Sequence, residues 1–122
     1  MDWYKNVSYK HDEKEAFHRE AKKSLRQLAK ALDLAVGTYD IRSNKGGIAV
    51  SGEITLHGEN IYVQVSQSCM GNKNGILIRK CRGRKDYTGM RNNFADLALL
   101  DNIPALARTV KAVQSEALFH TV

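Results

Sequence analysis

A chain of 122 residues, 43% hydrophobic and 26% charged, has the size of one domain and the composition of a folded globular protein, which excludes a disordered tail. No stretch approaches the roughly 20 consecutive apolar residues of a membrane helix, and the opening MDWYKNVSYK lacks the apolar run of a signal peptide, so a cytoplasmic protein with no membrane partner is expected. The net charge is +6, and residues 79–93 hold six cations against the single acid Asp86, so the surplus sits in one stretch and points to a local anion-seeking site.

Residues 1–11 contain Trp3, Tyr4 and Tyr9 without a helical or alternating period, and read as a loose arm or a strap over the core. Asp12 and Glu15 have the spacing of a capping box, with Asp in place of Ser or Thr. Phe17, Ala21, Leu25, Leu28 and Leu32 then recur every three or four residues, which predicts an amphipathic helix ending near Gly37. Its other face is basic through Arg19, Lys22, Lys23, Arg26 and Lys30, offset by Glu13, Glu15 and Glu20.

From Thr38 the period becomes two, the mark of strands with one wet and one dry face. TYDIRS leads through the turn NKGG into IAVSGEITLH, where Ile48, Val50, Ile54 and Leu56 share one face and Ser51, Glu53 and Thr55 the other; Gly52 marks a bulge or a close helix contact. A GEN turn returns the chain to IYVQVSQS with Ile61, Val63 and Val65 inside, and after CMGNKNG the segment ILIRKC supplies a fourth strand. A basic loop over residues 82–93 follows, and apolar residues resume at Phe94, Leu97 and Leu100. Asn102 as a cap and Pro104 in the first turn open a second helix carrying Leu106, Val110, Val113 and Ala117. The expected fold is a single α+β domain over residues 1–122: a four-stranded antiparallel meander sheet with an N-terminal and a C-terminal helix on one face, in the order α-β-β-β-β-α.

No strong catalytic signature accompanies this fold. Neither NKGG nor CRGRKDYTGM has the Lys and Ser or Thr that follow the last glycine of a P-loop, and NKGG reads as a hairpin turn. His11, His18, His57 and His120 stand near no nucleophile motif and are expected to be ordinary surface residues. Cys69 and Cys81 have no second Cys or His at zinc-binding spacing and read as free thiols in a reducing compartment, with a pairing between them left open. No catalytic residue, metal or cofactor is therefore expected. The enzymatic alternative is a metal-dependent nuclease of the restriction-endonuclease-like kind, which needs an Asp on one strand and Glu-x-Lys on the next. Asp40 and Glu53 approximate that pattern, but Thr55 stands where the Lys belongs.

The basic stretch is the better lead. A guanidinium offers planar paired donors that match phosphate oxygens, so Arg79, Arg82, Arg84 and Arg91, with Lys85, suit a phosphodiester backbone. Tyr87 can stack on an unpaired base, and Asn92 and Asn93 can donate to phosphates or base edges. The expected partner is DNA or RNA; the alternative is an acidic surface of a host protein complex, and an exposed strand edge leaves a homodimer open.

YDIRSNKGGIAVSGEITLHGENIYVQVSQ, residues 39–67, and CRGRKDYTGMRNNF, residues 81–94, resemble small accessory proteins of bacteriophages and other mobile elements. The resemblance spans about residues 38–110, leaves out most of the first helix, and implies a context in place of an activity. Such proteins handle nucleic acid or disable a host factor, inside a bacterial or phage-infected cell. Two functional expectations follow: a non-enzymatic nucleic-acid-binding accessory protein, or an inhibitor of a host defence complex in the manner of an anti-CRISPR protein. A DNA mimic is not expected of a basic chain.

Overall fold

The protein is described by a computed structural model over residues 11–44, 52–67 and 73–115. The aromatic arm before residue 11, residues 45–47 of the NKGG turn, Ile48, Val50, Ser51, Cys69, Ala117 and His120 lie outside the described residues.

The first helix, α1, runs His11–Ala31. Its apolar stripe is buried as the spacing predicts: Phe17, Ala21, Leu25 and Leu28 are shut from solvent together with Ala29. Both ends differ from expectation. The helix begins at His11, so Asp12 sits with Glu13 in the first turn, where its charge favours the helix dipole, and does not serve as the cap. At the other end Asp33 takes φ +58°, its N–H donates to Lys30 O (3.0 Å) and Leu34 N–H donates to Ala29 O (3.0 Å), a Schellman stop that ends the helix six residues before Gly37.

Five strands follow: β1 Asp40–Asn44, β2 Glu53–His57, β3 Ile61–Ser66, β4 Ile76–Lys80 and β5 Asn93–Ala95. They pair antiparallel in the order β1-β2-β3-β4-β5, so the meander is as expected but one strand wider. The extra strand, β5, is three residues long and exists through its pairing with β4, Leu77 opposite Phe94, in a stretch with no local alternation to announce it. A 3-10 turn, Leu97–Asp101, is capped by the Asp96 carboxylate, which accepts from Ala98 N–H (2.9 Å). The last helix, α2, spans Ile103–Gln114 with Asn102 as N-cap, its side chain accepting from Ala105 N–H (3.2 Å), and with Pro104 in the first turn.

The register sorts side chains onto two faces. Rows such as Ile41–Leu56–Val63–Ile78 and Ser43–Ile54–Val65–Ile76 face α1 and α2, and the two helices pack on that side and against each other. With Leu97, Leu100, Leu106, Val110 and Val113 they make one core, in which each fully buried Leu or Ile is worth about 1.5–3 kcal/mol. The opposite, wet face carries the rows Asp40–His57–Tyr62–Arg79 and Arg42–Thr55–Gln64–Leu77–Phe94. The first of those rows has an acid, an imidazole, a phenol and a guanidinium side by side across four strands.

Candidate functional site

The basic loop does not extend away from the sheet; it folds back over this wet face. It leaves β4 at Cys81, a buried free thiol whose Sγ donates to Gly58 O (3.5 Å) and whose pKa burial pushes up. Inside the loop Asp86 acts as the organiser. One carboxylate oxygen accepts from Thr88 N–H (3.2 Å), Thr88 Oγ1 (3.1 Å) and Gly89 N–H (2.9 Å), and the other from Arg82 N–H (3.0 Å). Those donors, the Gly89 and Arg82 amides foremost, hold its pKa down at about 2. Gly89 takes φ +61°, a conformation suited to glycine, and Met90 N–H then donates to Lys80 O (2.9 Å), closing the loop on the strand it left.

His57 fastens the loop to the sheet. Its ring is fully buried, contrary to the expectation of a surface histidine, and His18 on α1 is likewise buried at 2% exposure. Arginine has only donors, so Arg42 Nη2 at 3.1 Å makes Nδ1 of His57 the acceptor; Nε2 then carries the proton and donates to Gly83 O at 3.0 Å. The neutral imidazole thus links a β1 guanidinium to the loop backbone, while its ring meets Tyr62 and Tyr87 edge-on at 5.1 and 5.3 Å.

The eight residues expected to bind nucleic acid separate into two groups. Arg84 turns inward, donating with Nε and Nη2 to both oxygens of Asp40 (3.2 and 2.8 Å) and with Nη1 to Gly37 O (2.7 Å), and this pairing lowers the Asp40 pKa. Arg79 lies 4.4 Å over the ring of Tyr62 and donates to Tyr87 O (2.5 Å) and Asn92 Oδ1 (3.4 Å), making it a post beneath the loop. Asn93 donates to Ile78 O and Arg91 O within β5 and its approach. Arg82, Lys85, Tyr87, Arg91 and Asn92 remain exposed. The six-cation cluster is therefore not a single outward brush, since two of its arginines shape the loop that presents the others.

One contributor was missed by attention to the loop alone. Arg42, exposed on β1, places its guanidinium 5.4 Å from the centre of the Tyr87 ring and donates to Tyr87 Oη (3.2 Å). Beside it opens a cleft of about 270 Å³ lined by Arg42, Ser43, Asn44, Glu53, Thr55, Tyr62 and Tyr87. That volume lies just below the range of drug-sized pockets and suits a group the size of a base or a phosphate. Tyr62, whose hydroxyl donates to Gln64 Oε1 (3.0 Å), forms its floor, and burial raises its pKa.

The arrangement does not assemble the carboxylate pair of a nuclease. Asp40 stands opposite His57 and Glu53 opposite Asn44, at the two ends of the β1–β2 pairing, which separates them by about four residues of strand or roughly 13 Å. Asp40 is engaged by Arg84, and among the described residues no group of three His, Cys, Asp or Glu could hold a metal ion. No helix among the described residues is long and apolar enough to cross a membrane. Comparison with protein-family models, with curated proteins and with solved structures returns no match, so the chemistry of this face rests on its own geometry.

Proposed function

We propose that the protein binds single-stranded nucleic acid across the wet face of its sheet, as a non-enzymatic accessory protein of the mobile-element kind its sequence resembles. The observation that carries this reading is the display of two aromatic rings, Tyr87 and Phe94, 57% and 56% exposed, on the face that also carries Arg42, with Arg82, Lys85 and Arg91 exposed in the loop that folds over it. An unpaired base offers a π-face to each ring, while neighbouring cations take the phosphates. Duplex DNA offers no such unstacked faces.

The fixed position of Tyr87 favours the same reading. Packed edge-on against His57 and braced by Arg42, the ring is held in place before a base arrives, so little ordering entropy remains to be lost on binding. Fluorescence anisotropy with labelled single-stranded and duplex DNA and RNA oligonucleotides tests it. If the four cations neutralise three or four phosphates, the log–log salt slope is about −2.1 to −2.8 on a single strand, a loss of about 20- to 50-fold between 50 and 200 mM salt. Tyr87→Ala should weaken binding by about 1–3 kcal/mol with the slope unchanged, because stacking carries no counterions. Absence of binding at 50 mM salt overturns the proposal. Tight binding of duplex that ignores Tyr87 overturns the stacking mode.

A further inference from the structure

Arg19, Lys22 and Arg26 stand on one stripe of α1, since steps of three and four residues return to the same side of a helix. They line a second cleft, about 260 Å³, completed by Glu15 and His18 of the same helix and by Ser43 of the edge strand β1. Three cations against one carboxylate give this half-enclosed place a positive surplus that an anion would relieve. A second observation points the same way. The Ser43 Oγ is buried without a hydrogen-bond partner among the described residues, and a hydroxyl is seldom left so unless an acceptor completes it. Ser43 also borders the cleft beside Tyr87, so the two clefts adjoin around the edge of β1 that no other described strand pairs.

We propose that the α1–β1 cleft is a phosphate subsite. Arg19, Lys22 and Arg26 embrace the oxygens of one backbone phosphodiester, Ser43 Oγ donates to it, and the strand reaches it from Tyr87 by passing around β1. The path rests on the nucleic-acid reading above; the anion site does not. It also gives the basic face of α1, which lies largely outside the phage-like segment, a part in the same activity.

Two measurements test it on the full chain. In the first, inorganic phosphate is titrated into isotope-labelled protein. Saturable NMR shifts confined to the Ser43 amide and the Arg19 and Arg26 side chains are expected, and Ser43→Ala should weaken them severalfold without lowering the melting temperature, because the deleted hydroxyl has no internal bond to lose. In the second, the salt slope for a single-stranded oligonucleotide is compared between wild type and the triple variant Arg19→Gln, Lys22→Gln, Arg26→Gln. Loss of about 0.7 from its magnitude, the share of one phosphate, and about a fivefold drop in affinity at 100 mM salt are expected. Shifts spread without saturation over every exposed cation overturn the subsite. Oligonucleotide binding with an unchanged slope in the triple variant overturns the path while leaving the wet-face reading intact. Phosphate binding in the cleft with no oligonucleotide binding at all does the reverse, upholding the anion site and ending both the path and the nucleic-acid reading.

Discussion

Replacing His57 by Ala isolates the fastening between sheet and loop. The substitution removes a fully buried ring, the acceptor for Arg42 and the donor to Gly83 O, along with two edge-on ring contacts. A hydrogen bond to a charged group contributes about 1.5–3 kcal/mol, a neutral one about 0.5–1.5, and each aromatic contact about 0.5–1.5. These terms are not additive and water can enter the gap, so the loss of loop docking is set at about 2–4 kcal/mol. At 1.4 kcal/mol per factor of ten, that is about a 30- to 700-fold rise in the open population. Native-state hydrogen exchange reads it directly. The Met90 amide, bonded to Lys80 O, should lose protection by that factor, whereas core-strand amides such as Val63 should lose less. His57→Gln keeps a donor for Gly83 O and should fall between Ala and wild type. Met90 protection within threefold of wild type in His57→Ala would mean the imidazole does not hold the loop.

Gly89→Ala should also unseat the loop. The residue needs φ +61°, and a Cβ would stand 2.8 Å from Arg79 Cδ and 3.0 Å from Lys80 O, so a loss of about 1–3 kcal/mol in loop protection is expected; exchange at wild-type rates would contradict it. Acid should loosen the same loop through Asp86. Its folded pKa is depressed, so its contribution is complete above the ordinary carboxylate value of 3.8 and is lost as pH falls through about 2; NMR titration of the Gly89 and Arg82 amides should show a midpoint near 2, and a midpoint near 3.8 refutes the amide cage. In a Cys69→Ser background, Cys81 should react with a thiol reagent only on unfolding, because burial disfavours its thiolate, and labelling at the rate of a free thiol would contradict the buried placement. Gly75→Ala drives a methyl into the buried side chain of Leu97, and should lower the urea midpoint by the equivalent of about 1–3 kcal/mol, with an unchanged midpoint arguing against that close approach.

The helices and the first four strands could be read from the chain because their signals are local. The stripe from Phe17 to Leu28, the alternation through Ile54 and Leu56 or Val63 and Val65, and the pair Asn102–Pro104 each depend on neighbours within a few residues. What escaped depends on distant ones. Arg84 finds its carboxylate on Asp40, 44 positions earlier, and Gly83 O finds His57, 26 positions earlier; charge counting alone made every loop arginine equally available. Once the strands are paired, their two-residue period puts Asp40, His57, Tyr62 and Arg79 on one face, a row of mutually compatible donors and acceptors that the alternation of each strand taken singly does not reveal. Phe94 shows the opposite limit. It appeared to mark the return of the core, yet it faces solvent across from Leu77, because three residues on a sheet edge take their orientation from the register of a partner.

Every strand of the meander pairs with its neighbour in the chain, so the sheet can assemble by a succession of small ring closures, each of low entropic cost. The contact between α1 and α2 is of another kind, because it joins segments about 70 residues or more apart near the two ends of the described chain. During synthesis the first helix and the strands emerge with half of their greasy underside uncovered, and the hydrophobic lining is sealed only when residues 103–114 have left the ribosome. A transcript cut short before that point would yield a sheet covered by α1 alone, prone to self-association and to proteolysis, even though the basic loop and the whole wet face would already have been made.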